Sequence, residues 1–490
     1  MTRARLPLLL RNAAVLLGML ALGGCGSADD GTVTVLVVGD LKDPFQTGAR
    51  LPYAAQLVRS ATVEGLVGLD EQGRVIPALA DRWIVTDDGL SYIFRLRDGI
   101  WADGTAITGE NARASLMQAL AGLRGTPLAA DLSAIGEVRA MAGRVIEIRL
   151  TRPVPDLLQL LAQPELGLAR KGRGVGPMAM RRDGDYAVLT PIAPEKRGLT
   201  EVRDWASQVR SINLAAVPAK LAVERFDSGE AALVLGGRIE QFPRAASRGF
   251  TRGALRMDAV MGLFGLLVVH DDGFLGAREN REALAMAIDR DGFARAYGLS
   301  GWAPTTRIVS PGTPGDSGQV GERWTEMNLA QRRAEAQARV QRHGGEVRLR
   351  VAMPGGPGAD VLFSRIEADF ATIGVTAQRM AEGAEADLRL VDAVARYPRA
   401  TWFLNQLSCA VLAGLCSAGA DTRAGQARAA PDAATRAALL AEAEAELAAA
   451  NVFIPFGAPV RWSLVGGGVS GFSVNRWGFH PLMPLAMRTK

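Results

Sequence analysis

The sequence contains few of the residue types from which metal sites and many catalytic centres are built. Its 490 residues include three cysteines and three histidines. His270, His343 and His480 are far apart, and no Cys/His pair has the spacing of a zinc site. No Gly-x-Ser-x-Gly motif marks a nucleophile elbow. We therefore expect no metal, no other cofactor and no catalytic residue, and the sequence predicts that the protein is not an enzyme.

An excess of charge of one sign is also absent. The chain has 56 basic against 51 acidic residues, and its formal net charge is +5. Residues 1–24 contain three arginines and no acid, so without them the balance is 53 basic against 51 acidic residues. Since no dense Lys/Arg cluster is present, we expect no nucleic-acid partner.

Long apolar runs are missing except at the N-terminus. Ala13–Leu22 is a short apolar segment after a basic stretch, which is typical of a secretory signal. It ends in Leu-Gly-Gly-Cys25, which looks like a bacterial lipobox. We therefore predict a lipoprotein signal peptide over 1–24, lipidation of Cys25 and a lipidated tether over 25–31. A plain secretory signal that ends near a cysteine is the alternative.

The predicted lipid anchor defines a location and a partner. Two or more acyl chains bind a bilayer stably, at about 0.8 kcal/mol per buried methylene. We therefore expect a periplasmic protein that is anchored to the inner or outer membrane of the bacterial envelope.

The two cysteines that remain form an even pair. In an oxidising compartment, Cys409 and Cys416 are expected to form a disulfide, with two buried thiols as the alternative. Closing so short a loop would stabilise the fold by about 2.5 kcal/mol in the chain-entropy model.

The stretch from Glu64 to Thr108 carries the most specific pattern. It reads EGLVGLDEQGRVIPALADRWIVTDDGLSYIFRLRDGIWADGTAIT. Asp87-Asp88-Gly89 predicts a turn, Ser91–Leu96 alternates like a half-buried strand, and Thr108 can cap a following helix. This order of elements and short sequence motifs resembles the N-terminal lobe of the family 5 extracellular solute-binding proteins. Those proteins are the peptide- and nickel-binding components of ABC importers.

Further blocks of the sequence are similar to the same family, in the same order. They include Phe226–Glu230 (FDSGE), Arg281–Arg290 (REALAMAIDR) and the closing segment Phe453–Phe456 (FIPF). The resemblance covers most of the chain from about 32 to 480 and is weakest over 180–215, where the chain looks shortened.

The resemblance implies an α/β, two-lobed periplasmic binding protein fold with an extra subdomain in the N-terminal lobe. The N-terminal lobe would comprise 32–250, with 460–490 returning to it, and the C-terminal lobe 251–459. A hinge with two crossovers is expected, near 238–260 and near 453–465.

The resemblance also implies a function. The protein would be the periplasmic substrate-binding component of an ABC importer, a monomer that delivers a small ligand to permease and ATPase subunits. The ligand would be a peptide or a peptide-like molecule, with an anionic ligand as an open alternative. A derived lipoprotein that acts as a sensor or envelope factor without transport is the second hypothesis.

The segment from Asp392 to Cys409 is expected to meet the ligand. Peptide-binding members carry a phrase like W-x-x-D-Y-x-D-P-x-x-F-L here, whose first Asp binds the ligand's amino group. Alignment on Tyr397 and Phe403 puts Arg396 in the place of that Asp, which suits a carboxylate, phosphate or sulfonate. The alternatives are that Arg396 faces solvent, or that the loop is shifted by four residues so that Asp392 replaces the acid.

Aromatic side chains in this segment are further candidates. The family lines its cleft with aromatics, so Tyr397, Trp402 and Phe403 complete the predicted ligand-binding set. One of Trp402 and Phe403 is expected to pack inward as core.

Overall fold

A computed structural model describes residues 31–247 and 252–488, so Cys25 and the predicted signal peptide lie outside the described residues. From Val33 onward the chain forms one compact unit. Its α-helices are α1 (Tyr53–Thr62), α2 (Gly109–Gly122), α3 (Pro127–Asp131), α4 (Leu157–Leu161), α5 (Trp205–Gln208), α6 (Ala219–Asp227), α7 (Phe242–Ala246), α8 (Arg278–Ala287), α9 (Arg290–Tyr297), α10 (Leu329–His343), α11 (Pro357–Ala371), α12 (Ala400–Gln406), α13 (Ala418–Ala429), α14 (Ala433–Ala450) and α15 (Leu482–Leu485). In this part of the chain, no helix combines the length and the apolar character needed to cross a membrane.

The first lobe is built on a seven-stranded sheet. In spatial order its strands are β12 (Leu255–Asp258), β18 (Arg461–Val465), β11 (Leu233–Arg238), β1 (Thr32–Val38), β10 (Ser211–Val217), β9 (Tyr186–Pro191) and β8 (Met178–Asp183). β1 and β11 run parallel, whereas β18 is antiparallel to both of its neighbours. The segment that resembled the family least therefore supplies β8 and β9, an antiparallel hairpin at the sheet edge.

The second lobe is built on a five-stranded sheet. Its order is β15 (Val375–Ala381), β14 (Val347–Met353), β16 (Leu388–Val394), β13 (Gly262–Val268) and β17 (Phe453–Gly457). Every residue of β13 is buried, because this apolar strand lies between two neighbours. A continuous apolar run is the pattern of a strand that is covered on both faces.

A smaller subdomain belongs to the first lobe. It contains a four-stranded antiparallel sheet of β4 (Ala80–Val85), β5 (Ser91–Leu96), β7 (Val145–Leu150) and β6 (Ile135–Met141), and a two-stranded sheet of β2 (Val67–Leu69) and β3 (Val75–Pro77). The two-lobed α/β architecture with an extra N-lobe subdomain is thus confirmed.

The chain changes from one large sheet to the other twice. The first change falls at 259–261, between β12 and β13, and the second at 458–460, between β17 and β18. A lobe boundary at 251 would separate β12 from the sheet in which it pairs with β18. We therefore propose 259–261 and 458–460 as the hinge crossovers and shift the first boundary accordingly.

Several local predictions are confirmed. The Ser91–Leu96 alternation forms β5 with buried residues at every second position. Thr108 caps α2, and its side chain accepts a hydrogen bond from the backbone of Asn111 while Asn111 returns one. These elements were predictable because hydrophobic alternation, turn residues and helix caps act over a few neighbouring positions.

The lobes are in contact as well as connected. One apolar cluster joins the four-stranded sheet of the first lobe to buried residues of 395–407 in the second lobe. α3 of the first lobe packs against α12 of the second. The two lobes therefore enclose the space between the two large sheets.

Candidate ligand-binding cleft

A cleft of about 960 Å³ lies between the lobes and is lined from both. This volume is at the upper end of the range for small-molecule sites. Its walls comprise the end of β1, residues 49–53 and Gln56 at the start of α1, part of α3, the end of β11, the second half of β16 with the loop behind it, residues 411–413, the start of β18, and residues 477–480.

Asp392 connects the two large sheets at the floor of the cleft. Its carboxylate accepts hydrogen bonds from Arg461 Nη1 at 2.7 Å and from Arg238 Nε at 3.2 Å. Both arginines also donate to the Asp392 carbonyl oxygen. The Asp392 side chain is 2% exposed. Burial alone would raise the pKa of Asp392, but Arg461 and Arg238 outweigh it and hold the pKa below its ordinary value.

This geometry bears on the alternative in which Asp392 replaces the missing acid. Asp392 does line the cleft. Both of its carboxylate oxygens, however, are engaged by guanidinium groups of the opposite sheet. A ligand ammonium would have to compete with two arginines for the same oxygens, so the position favours a structural role for this carboxylate.

Arg396 lies two residues after β16 and lines the cleft. Its Nη1 donates to both carboxylate oxygens of Glu165, at 3.0 and 3.1 Å. The Glu165 side chain is 3% exposed and belongs to the first lobe. Burial lowers the pKa of Arg59, and the charge of Glu165 offsets part of that effect, so the same carboxylate acts on a second arginine. Glu165 thus forms an ion pair with Arg396, whereas Arg59 donates to the carbonyl oxygens of Pro164 and Gly167.

The three predicted aromatic residues occupy different environments. Tyr397 and Trp402 line the cleft, although each is at least 96% buried at 1% and 4% exposure. Phe403 is fully buried in the core and is not part of the cleft wall. Trp402 and Phe403 pack edge to face with ring centroids 5.0 Å apart. Phe403 therefore supports Trp402 from behind.

Asp131 links the loop after Arg396 to the first lobe. Its Oδ2 accepts a hydrogen bond from the Tyr397 hydroxyl at 2.6 Å, and its Oδ1 accepts one from Thr401. Arg399 Nε lies 3.7 Å from Asp131 and 3.5 Å from Asp156. These contacts join α3 to the start of α12 and hold the lobes together beside the cleft.

The two cysteines form a loop at the cleft wall. Cys409 and Cys416 are joined by a disulfide in the structure. Residues 411–413 between them line the cleft, and the backbone of Leu415 donates to Val268 in β13. The disulfide therefore closes a loop that contributes directly to the cleft. No group of His, Cys, Asp or Glu side chains suited to a metal ion occurs within residues 31–247 and 252–488.

Six charged residues that line the cleft were not predicted as site residues: Asp43, Arg50, Glu165, Arg238, Asp258 and Arg461. Three of them, Arg238, Asp258 and Arg461, lie in the segments that were predicted only as hinge crossovers. Asp258 Oδ2 is 3.1 Å from His480 Nε2, and its Oδ1 accepts from the Asn475 backbone at 2.9 Å. The local signal that could have suggested three of these residues is their position at a strand end, since Arg238 ends β11, Asp258 ends β12 and Arg461 begins β18.

Sequence comparison identifies a family. A model of the bacterial extracellular solute-binding proteins, family 5 (middle region), matches residues 74–378, more than half of the chain. The probable deoxycholate-binding periplasmic protein YgiS of Escherichia coli K12 is 36% identical over 132 residues, 23% of this chain and 24% of that protein. A glutathione-binding protein GsiB of Escherichia coli O1:K1 is 26% identical over 164 residues, 33% of this chain and 30% of that protein. The matches thus span about a third or less of these relatives.

Solved structures share the whole fold. Haemophilus influenzae OppA in complex with the peptide RPPGFSPFR gives a TM-score of 0.80 at 17% identity, over 94% of this chain and 99% of that one. The Escherichia coli murein tripeptide binding protein MppA gives 0.79 at 18% identity, over 94% and 99%. The unliganded open form of MppA gives 0.63 at 17% identity, over 94% and 98%. The chain belongs to the bacterial extracellular solute-binding proteins, family 5.

Proposed function

We propose that this protein is the substrate-binding component of an ABC importer. It captures a small ligand between its lobes in the periplasm and delivers it to permease and ATPase subunits. It is a monomer that a lipid on Cys25 holds at the envelope, and it performs no chemistry. The observation that carries the proposal is the cleft of about 960 Å³, which both lobes line and which ion pairs from opposite lobes flank.

Closure is the physical basis of capture. Glu165 and Asp131 of the first lobe meet Arg396 and Tyr397 of the second, so the closed arrangement has its own direct contacts. A ligand that touches both walls adds to these contacts and shifts the population further toward the closed state.

The charges favour a ligand with a carboxylate. Arg396 pairs with Glu165, and Arg238 and Arg461 share Asp392, so three arginines lie on the cleft wall, where a ligand carboxylate can meet them. Arginine binds carboxylates with two parallel hydrogen bonds. Glutathione and deoxycholate, after which two relatives are named, both carry carboxylates. We propose a peptide-like or amphipathic carboxylate as the ligand class.

The same charges disfavour a ligand held by its amino group. A free ammonium beside Arg396 would meet a like charge, and the Glu165 carboxylate that could attract it is already paired at 3.0 Å. A desolvated like-charge contact costs several kcal/mol. Peptides should therefore bind through their carboxylate and side chains.

Thermal unfolding with four compounds tests both parts of the proposal. The panel comprises trialanine, N-acetyl-trialanine, glutathione and deoxycholate, the last below its micellar concentration. A compound present at about a hundred times its Kd stabilises the protein by about 2.7 kcal/mol, which is readily measured. We expect N-acetyl-trialanine to stabilise at least as well as trialanine. Stabilisation by trialanine that acetylation abolishes would refute the amine-independent ligand class.

A second measurement separates transport from the sensor hypothesis. Native mass spectrometry of protein purified from its own periplasm should show a co-purified small molecule. Absence of any such mass, together with no response to the panel, would favour a derived sensor or envelope factor.

A further inference from the structure

Tyr53 is the first residue of α1, and its side chain lines the cleft from the first lobe. Its hydroxyl oxygen is buried and makes no hydrogen bond of standard geometry among the residues that the structure describes. The backbone N–H of His480 lies near enough to lower the pKa of the hydroxyl, but it offers no acceptor for the hydroxyl proton. Nearly all buried polar groups in proteins are paired, so an exception at a binding cleft calls for a reason.

The ring of Tyr53 is fixed in place by its neighbours. Phe479 packs against it edge to face, with ring centroids 6.4 Å apart. Gly236 adopts a φ of +76°, and a Cβ there would lie 2.9 Å from Cδ1 of Tyr53. The backbone of β11 therefore approaches the ring as closely as only glycine permits. The hydroxyl cannot easily turn away to find another partner.

The hydroxyl is a proton donor in this environment. Burial, and then the charge of Asp258, raise the pKa of Tyr53 far above its ordinary value, so the group stays protonated. Asp258 does not accept that proton in the structure, and its two oxygens are oriented toward the Asn475 backbone and His480. The donor therefore remains available to another oxygen in the cleft.

The Asp258 carboxylate determines which kind of ligand oxygen can accept a hydrogen bond from Tyr53. The charge of Asp258, whose side chain is 2% exposed, acts on the Tyr53 hydroxyl more strongly than the opposite charge of Arg461, so a ligand carboxylate placed at Tyr53 would be repelled. A neutral carbonyl or hydroxyl oxygen meets no such penalty. The carboxylate of the ligand then belongs at the arginines, and a neutral acceptor belongs at Tyr53.

We propose that the Tyr53 hydroxyl is a specificity-determining group that donates a hydrogen bond to a neutral carbonyl or hydroxyl oxygen of the bound ligand. This assignment rests on the proposed function, because it requires a ligand between the lobes. The Tyr53 hydroxyl would let the protein discriminate ligand carboxylates that also carry an uncharged oxygen acceptor from ligand carboxylates that lack one.

Calorimetric titration of the full chain with N-acetyl-trialanine tests the assignment. Tyr53→Phe removes the hydroxyl and keeps the ring, so we expect a Kd about tenfold weaker, equivalent to one hydrogen bond. The ligand-free protein should unfold at the same temperature as the wild type or higher, since no internal partner is lost. Gly236→Ala, which displaces the ring, should weaken binding as well.

Tyr186→Phe is the matched control. Tyr186 lies on β9 and does not line the cleft. Its hydroxyl accepts a hydrogen bond from Arg225 Nη1 at 3.3 Å. This variant should bind N-acetyl-trialanine like the wild type. If Tyr53→Phe and the wild type bind N-acetyl-trialanine with equal affinity, the Tyr53 assignment is overturned but the proposed function is not. A lower unfolding temperature of ligand-free Tyr53→Phe than of the control would also overturn it, because the hydroxyl would then be paired inside the protein.

Failure of the proposed function gives a different result. If the wild type binds no compound of the panel and retains no small molecule in native mass spectrometry, both the function and the Tyr53 assignment fail. If the wild type retains an endogenous molecule that Tyr53→Phe loses and Tyr186→Phe keeps, both are supported.

Discussion

Asp392→Asn should destabilise the fold more than any other single amide substitution at the cleft. Asn has the size of Asp but no charge, so Arg461 would lose its ion pair with Asp392, and Arg238 would keep only its longer ion pair with Glu240, at 3.5 Å. In the wild type, Asp392 binds Arg461 at 2.7 Å and Arg238 at 3.2 Å, and its own side chain is 2% exposed.

The magnitude follows from burial. Loss of one partner of a buried ion pair costs about 3–5 kcal/mol. The Arg461 side chain is 14% exposed, but that of Arg238 is 38% exposed, so solvent screens its share. The Asn carbonyl also retains one acceptor. We therefore expect the free energy of unfolding to fall by about 2–3 kcal/mol at neutral pH.

The pH dependence provides a second signature. The arginines hold the pKa of Asp392 below its ordinary value, despite burial that opposes them. A carboxyl with a depressed pKa stabilises the fold above its unfolded-state pKa of about 4, and this contribution is lost as pH falls through the folded-state pKa. The difference between wild type and Asp392→Asn should thus be largest above about pH 4 and shrink below it.

Equilibrium urea unfolding followed by tryptophan fluorescence is the assay. Asp183→Asn is the matched control, since its ion pair with Arg181 is exposed on both sides, at 64% and 67%. The control should change the free energy of unfolding by no more than about 0.5 kcal/mol. A loss in Asp392→Asn no greater than in the control, or a difference independent of pH, would refute the reasoning.

Three further predictions concern the contacts around the cleft. Tyr397→Phe should lower the free energy of unfolding by about 1–3 kcal/mol in urea, because it leaves a buried Asp131 oxygen unpaired. Replacing Cys409 and Cys416 together by serine should lower it by about 2.5 kcal/mol, from the entropy of the opened loop. Glu165→Gln should weaken the closed arrangement by about 1–2 kcal/mol and enlarge the ligand-free radius of gyration in solution scattering.

Each of these has its own control. Tyr92→Phe removes a hydroxyl that donates to a neutral carbonyl at 3.0 Å, and should cost less than Tyr397→Phe. Identical urea midpoints of the oxidised and reduced wild type would contradict the disulfide prediction. Glu195→Gln changes the same charge at an exposed residue, so an equal change in radius of gyration there would argue against a specific role of Glu165.

The local structure was largely predictable. Thr108 caps α2, Ser91–Leu96 forms β5, and the motif that ends at Arg290 forms α8 and begins α9. These signals lie within a few residues of the structure they specify. The change of sheet at 259–261 lies at the end of the predicted crossover range 238–260, and we place the lobe boundary after β12 rather than at 250, because β12 pairs with β18, more than two hundred positions later.

The site was less predictable. Arg396 could be singled out by its place in a motif, but its partner Glu165 is 231 residues away. Likewise, Asp392 could be offered as an amine-binding acid until the structure placed it against Arg238, 154 residues away. No local pattern marks the unpaired hydroxyl of Tyr53.

By itself, the sequence determined the family, several of its helices and strands, and one segment, Asp392–Cys409, that contributes to the cleft between two lobes. Periodicity, caps and turn residues are short-range properties, so they can be read along the chain. The tertiary structure alone decided which charges are neutralised and which polar group remains unpaired. Those properties depend on distances between segments that only the packing of two sheets and a subdomain brings together.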